Sequence, residues 1–316
     1  MTGATGVIGR RVIPQCVQRG HQVTAIARSP EGLAAIERLG ATAIVSDLFD
    51  RDRLATAMPG HDVVINLATH MPSSTIRMFL PGAWRENDRV RREGSATLVA
   101  AALAAGVGRF IQESFAMIYR DNGDAWIDES SPIEPAAYNR TVVDAERAAQ
   151  RFTEAGRIGI VLRFGAFYGP DGRFFADMVR MVNRGFSPLL GPADAYISSV
   201  SHDDAAAAVI AALGLPAGIY NVVDDEPLTH RECMNSLADA LGVHHPRILP
   251  TWLTYFGGTP ARVLARSLRM SNRKLEASSA WKPKFRSVRE GWPSAIAPFI
   301  AEPRPPAHVA PTAPAR

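Results

Sequence analysis

Three glycines stand at a spacing of three in Gly3-Ala4-Thr5-Gly6-Val7-Ile8-Gly9. That spacing suits a dinucleotide-binding turn. The first glycine allows the tight turn, the second lets backbone N–H groups approach a pyrophosphate, and the third permits close packing of the next helix on a sheet. The N-terminus of that helix adds a partial positive charge. A purely structural turn before a helix has the same composition, so the residues downstream matter. About twenty residues on, an NAD site carries a carboxylate that reads the ribose. Here the β-rich run His21–Ala27 ends in Ala27 and Arg28. An acid would repel a 2′-phosphate, whereas arginine pairs with one through two N–H groups. The pattern favours NADP, with NAD as the alternative and a solvated surface arginine as the plain reading of Arg28.

Other residue types that do chemistry are sparse. Glu113 stands near the end of a strand-like run. A buried carboxylate there would have a raised pKa and suit a base, and a structural hydrogen-bonding role is the alternative. His202-Asp203-Asp204 is expected to cap a helix running from Ala205 to Leu213. The acids and histidines show no metal-ligand spacing, so no metal is expected. Cys16 and Cys233 are the only cysteines. They read as buried thiols of a cytoplasmic protein rather than a disulfide framework.

The motifs taken together resemble one family. Thr2–Gly9, Asp47-Leu48, Asp62–Ala68 and Arg163–Pro170 are similar to the extended short-chain dehydrogenase/reductases, the NAD-dependent epimerase/dehydratase family. His202-Asp203-Asp204 and Gly218–Val222 resemble its later motifs. The resemblance runs through most of the chain. It implies that Asp47 contacts adenine with Leu48 beside it. It also implies that Leu67, Ala68 and Thr69 line the ribose and nicotinamide half, which sets His70 near the nicotinamide. Gly165, in a pocket-facing segment, becomes a candidate cofactor-binding residue, as does Tyr138, and Tyr119 and Tyr168 become candidate substrate-pocket walls or alternative acids. The family further implies a homodimer built on helices around 88–105 and 138–155.

The same resemblance implies a Tyr-x-x-x-Lys pair and a serine or threonine at a strand end. Tyr138 is the best match for the tyrosine, but the lysine position is Val142, and no lysine precedes Lys274. Arg140 is two residues on, toward the opposite side of a helix. The hydroxyl position is Phe115. Ser114 is adjacent and serves only if the loop is rearranged. The asparagine expected before Gly94 is also missing, and Val90, Arg91 and Arg92 stand in that stretch. A tyrosine with a pKa near 10 is a poor base at neutral pH and an acceptable acid. The reductive direction should therefore suffer least. These residues lead to an NAD(P)-dependent oxidoreductase or epimerase-like enzyme acting on a small carbonyl, hydroxyl or sugar-type compound. The alternative is a non-catalytic NADP-binding redox sensor or scaffold. A nucleotide-sugar substrate would need a basic clamp, for which Arg173, Arg262, Arg266 and Arg269 are the candidates.

These residues need a scaffold, and the chain alternates strand-like and helix-like segments, as an α/β fold with a doubly wound parallel Rossmann sheet requires. Val63–Leu67 is a continuous apolar run of the kind buried on both faces of a sheet. Ser95–Ala105 reads as a helix closed by Gly106. Arg109–Gln112, Gly159–Arg163 and Ile219–Val223 read as further strands. A dinucleotide-binding domain over 1–165, with a return segment about 197–225, leaves 166–300 mainly as a smaller substrate lobe. Residues 303–316, rich in Pro and Ala, are expected to form a disordered tail. Only Met1 and Thr2 precede Gly3, so the first strand is truncated. A longer N-terminus is the expected explanation, because a missing central strand leaves its neighbours unpaired. The net charge of +4 comes with three lysines and no dense basic run, which argues against nucleic acid as partner. No apolar run reaches the length of a membrane span.

Overall fold

The computed structural model describes residues 1–72, 76–80 and 82–301, and the expected tail at 303–316 lies outside them. The centre is a parallel sheet. Val63–Asn66, Arg109–Phe115, Ile158–Phe164 and Gly218–Val222 pair in that order. Thr24–Ala27 pairs in parallel with Thr42–Val45 on the other side. Met1 and Thr2 join the two halves. Thr2 N–H donates to Ile65 O at 2.9 Å, and Ile26 N–H donates to Met1 O at 3.0 Å. The truncated first strand thus holds the middle of the sheet with two residues. The return strand Gly218–Val222 comes from the later part of the chain, as the sequence suggested.

Helices cover both faces, and strand alternation divides the core between them. Ile65, Ile111, Ile160 and Leu162 pack against Val12, Cys16, Ala205 and Val209 of helices Gly9–Gln18 and His202–Ala211. Val64, Phe110 and Val161, their neighbours in sequence, pack on the opposite face. They meet Leu98, Ala102, Ala148 and Phe152 of helices Ser95–Ala104 and Thr141–Glu154. Both faces being apolar is what a parallel strand needs. A separate apolar cluster joins helices Arg173–Asn183, His230–Leu241 and Val288–Ala301 through Val179, Met234, Leu237 and Trp292.

Local signals explain the helix starts. Ser29 Oγ accepts from Gly32 N–H, with Pro30 at the first helical position. Asp50 accepts from Arg53 N–H. Thr229 and Glu232 form a capping box. At the family's later motif the cap is Ser201, which accepts from Asp204 N–H at 3.0 Å. His202 is the first residue inside the helix, one turn earlier than Ala205. The capping reading of His202 is corrected accordingly: the residue just before it has the extended backbone that a cap requires.

Candidate functional site

The glycine turn is sterically determined. Gly3 has φ +66°, and a Cβ there would lie 2.4 Å from Leu67 O. A Cβ on Gly9 would lie 2.2 Å from Gly3 O. The turn is closed by Gly6 N–H donating to Gly3 O at 3.0 Å. The helix that follows has no side-chain cap and no acid in its first turn. The N–H groups of Val7, Ile8 and Gly9 meet no acceptor among the described residues. A glycine cradle with free donors at a helix N-terminus fits a pyrophosphate. Ala4 is buried beneath the turn, and Thr5 is exposed beside Gly32.

Arg28 and Asp47 follow the paired strand ends Ala27 and Val45, so the parallel register brings both to the same edge. Arg28 is exposed and holds no partner among the described residues. Asp47 is exposed and accepts from Phe49 N–H at 3.2 Å. Leu48 is buried against Gly94. An exposed arginine and an exposed carboxylate thus stand side by side at this edge.

A cavity of about 970 Å³ opens from the glycine turn. Gly3, Gly6 and Val7 form one end, and Leu67, Thr69 and His70 continue the wall. Ala68 completes that segment, its N–H donating to Asn66 Oδ1. His70 is exposed and is anchored by its own N–H to Asn87 Oδ1 at 2.9 Å. The far walls are largely aromatic, with Trp84, Phe115, Phe164, Phe167, Phe174 and Phe175. The polar lining includes Tyr138, Asn139, Arg91 and Glu113.

Tyr138 sits in the turn before helix Thr141–Glu154, with its ring 5.1 Å from that of Trp84. Burial pushes its hydroxyl up to about 12, and the positive charges of Arg266 and Arg91 oppose that rise. Val142 is fully buried. Arg91 Nη2 donates to Glu113 Oε1 at 2.9 Å and to Oε2 at 3.2 Å. Burial raises the Glu113 pKa, Arg91 holds it back, and the charge of Glu146 adds to the rise.

The other sequence candidates lie elsewhere. Ser114 is fully buried and gives its hydroxyl to Glu146 Oε1 at 2.5 Å. Strand alternation turns it away from Glu113 and Phe115, which line the cavity. Phe115, at the expected hydroxyl position, contributes an apolar wall. Tyr119 is fully buried and donates to Asn221 Oδ1 at 2.8 Å. Tyr168 is buried with its ring 5.2 Å from Trp292. Gly165 packs against Ser198 O and Val223, where a Cβ would clash. None of these four is among the residues lining the large cavity.

Two of the candidate clamp arginines are committed, and the side chain of Arg173 lies outside the described residues. Arg266 donates to the carbonyls of Tyr119 and Glu134 at 2.8 Å each. Arg269 donates to Asp124 O and lies over the rings of Trp126 and Tyr196. Neither they nor Arg262 line the cavity. No group of histidines, cysteines and acids among the described residues could hold a metal ion. No helix among them is long and apolar enough to cross a membrane.

Sequence reasoning missed Trp84, whose segment carries no readable period, and Phe174 and Phe175, although the apolar spacing of Phe175, Val179 and Val182 in helix Arg173–Asn183 was a signal for them. It noted Arg91 only as a departure from an expected asparagine. The signal was present as a charged residue beside the core residue Val90, but a π-helical turn at Val90–Gly94 breaks the helical count there.

Comparisons with known proteins agree with this geometry. A family described as NAD(P)H-binding matches residues 3–216. A 3-diazoavenalumate denitrifying reductase from a Streptomyces species is 31% identical over 305 residues, covering 92% of this chain and 97% of that protein. A 2-alkyl-3-oxoalkanoate reductase from Shewanella oneidensis is 25% identical, covering 87% of this chain and 74% of its own length. Among solved structures, a human epimerase family protein, SDR39U1 with NADPH, superposes with TM-score 0.75 at 21% identity, over 93% of this chain and 97% of that one. A UDP-glucose 4-epimerase from Thermus thermophilus in complex with NAD gives TM-score 0.75 at 25% identity, over 95% and 98% of the two chains.

Proposed function

The chain belongs to the NAD(P)H-binding extended short-chain dehydrogenase/reductase family, and from that premise we propose that it is an NADPH-dependent reductase of apolar, ring-bearing carbonyl compounds or similar electrophiles. One observation carries the reading. One cavity is lined by the glycine turn, by a set of aromatic side chains and by Tyr138. Its lining holds Arg77 and Arg91, the latter paired with Glu113, while the clamp candidates Arg266 and Arg269 lie outside it and are held by backbone carbonyls. The relatives named as reductases of 3-diazoavenalumate and of 2-alkyl-3-oxoalkanoates support reduction as the direction.

A dinucleotide held at the glycine turn would supply the hydride. The chain's own residues bind, orient and protonate. The open helix N-terminus after Gly9 holds the pyrophosphate, and Arg28 pairs with the 2′-phosphate. Leu67, Ala68 and Thr69 shape the nicotinamide end. Phe115, Phe164, Phe167 and Phe174 clasp the substrate and exclude water. Tyr138 gives its hydroxyl proton to the substrate oxygen. A hydroxyl held as high as about 12 is a competent acid and almost never a phenolate at neutral pH, which suits reduction rather than oxidation.

Initial rates of NADPH oxidation over a panel of ketones test the reading. The panel runs from aryl and long-alkyl ketones to nucleotide sugars. Turnover confined to the apolar members supports it, and a preference for nucleotide sugars would overturn the substrate class. Tight NADPH binding with no turnover across the panel would favour the non-catalytic sensor.

A further inference from the structure

The polar wall of the cavity holds an arrangement that the reading above does not use. Arg91 lies in the π-helical turn Val90–Gly94, between helical segments Arg85–Arg89 and Ser95–Ala104. Such turns recur at functional sites because one extra residue re-aims side chains without breaking the helix. Here Val90 stays in the core with Leu98 and Phe110, while Arg91 joins the cavity wall. The Arg91 side chain is only 4% exposed. One of its nitrogens, Nη2, serves both oxygens of Glu113, and its Nε is buried without a partner among the described residues. A buried ion pair of this kind contributes little stability over apolar side chains of the same volume. An incompletely paired one, on a cavity wall, calls for another purpose.

Tyr138 shares this wall. The cations acting on it are Arg266, the stronger, and Arg91. Arg266 spends its donors on two backbone carbonyls and the Glu134 carboxylate, and it lies outside the lining. Trp84, the ring beside Tyr138, is uncharged, and Val142, one turn along, is apolar. Behind Glu113 stands Glu146, which is itself held by both Nε and Nη2 of Arg163 at 2.7 Å. Arg77 also lines the cavity but is not among the charges acting on Tyr138, so Arg91 is the cation of the wall that acts on it, and its charge is graded by the Glu113 carboxylate.

We propose that Arg91 is a positioning residue for proton transfer by Tyr138: its guanidinium stabilises the phenolate that remains when Tyr138 protonates the substrate oxygen, and Glu113 sets how much of that charge Tyr138 feels. The inference rests on Tyr138 acting as the acid in the reduction proposed above. In that step the substrate carbon gains a hydride from the dinucleotide, and the carbonyl π pair moves to oxygen. The Tyr138 O–H bond breaks as the new O–H bond forms. The phenolate stays beside Arg91 until a proton from solvent restores it.

The test uses Glu113→Gln, Arg91→Lys and Arg91→Met, with Tyr138→Phe as the reference. The first readout needs no substrate. Ultraviolet tyrosinate absorbance is titrated against pH, and the Tyr138→Phe curve is subtracted. Glu113→Gln keeps the size of the side chain and one acceptor, and it uncovers the Arg91 charge, so the Tyr138 titration moves to lower pH. Arg91→Met moves it to higher pH. The second readout is the reduction itself. Arg91→Met lowers kcat about 100-fold with KM nearly unchanged, as loss of assisted proton transfer should, and Arg91→Lys recovers most of it. The alkaline limb of kcat moves with the absorbance titration. A Tyr138 titration that neither Glu113→Gln nor Arg91→Met displaces, in folded proteins, overturns the proposal. A displaced titration without any reduction leaves the link between Arg91 and Tyr138 standing and refutes the reductase reading instead.

Discussion

The Ser114 hydroxyl donates to Glu146 Oε1 at 2.5 Å, and the same carboxylate takes both arms of Arg163 at 2.7 Å. Ser114 therefore belongs to a buried structural network beneath the sheet and is turned away from the cavity. Replacing it with alanine leaves an acceptor of Glu146 short of one donor, which costs about 1–3 kcal/mol. Ser114→Ala should lower the free energy of urea unfolding by that margin and leave kcat within about threefold of wild type, a factor worth less than 1 kcal/mol. A loss of activity at unchanged stability would return Ser114 to the chemistry.

Arg28 has no protein partner among the described residues and stands at the same strand edge as Asp47. Charge-assisted hydrogen bonds contribute about 1.5–3 kcal/mol. Arg28→Ala should thus weaken NADPH about 10- to 100-fold in calorimetry and leave NADH unchanged. Equal losses for both cofactors would show that Arg28 acts on something other than the 2′-phosphate.

The Tyr138 hydroxyl is pushed up to about 12 by burial. Reduction needs the protonated form, which dominates throughout the neutral range, so its rate should be flat from pH 6 to 9. Alcohol oxidation needs the phenolate, whose fraction rises tenfold per pH unit below its pKa. Rates measured in both directions across that range should diverge accordingly. A bell-shaped reduction profile centred near neutrality would point to His70 or another group as the acid.

His230 is 2% exposed, and burial lowers its pKa from the usual 6.5 to about 4, against the pull of a hydrogen bond to Pro192 O. The folded state excludes a proton that the unfolded chain binds. Its stability contribution is therefore complete above about pH 6.5 and is lost as pH falls toward 4. At pH 5 the loss is about 2 kcal/mol. Urea unfolding at pH 7.5 and pH 5 should show a smaller difference for His230→Gln than for wild type.

The strands and the glycine turn were legible because buried parallel strands are short apolar runs and because the turn has room for no side chain at Gly3 or Gly9. Arg28 and Asp47 were legible as strand-end residues, and the register Ala27 to Val45 places them together. The cavity walls were not. Trp84 comes from a segment rich in Pro and Gly, where no period says which way a side chain faces, whereas Phe174 and Phe175 open an amphipathic helix whose spacing of Phe175, Val179 and Val182 marks a buried face without saying that a cavity lies beside it. The facing of Ser114 was readable in principle, since Glu113 and Phe115 must share one side of their strand and Ser114 the other. Arg91 was not readable, because a π-helical turn shifts the count by one residue and only tertiary packing reveals it.

The most direct test of the account is the transfer of deuterium from nicotinamide-labelled NADPH to an aryl ketone, read by mass spectrometry of the product. Label should appear at the carbinol carbon with wild-type protein and fall to background with Tyr138→Phe. If NADPH binds tightly and the label stays on the cofactor for every ketone offered, the chain binds the dinucleotide without performing the chemistry, and the reductase reading is wrong.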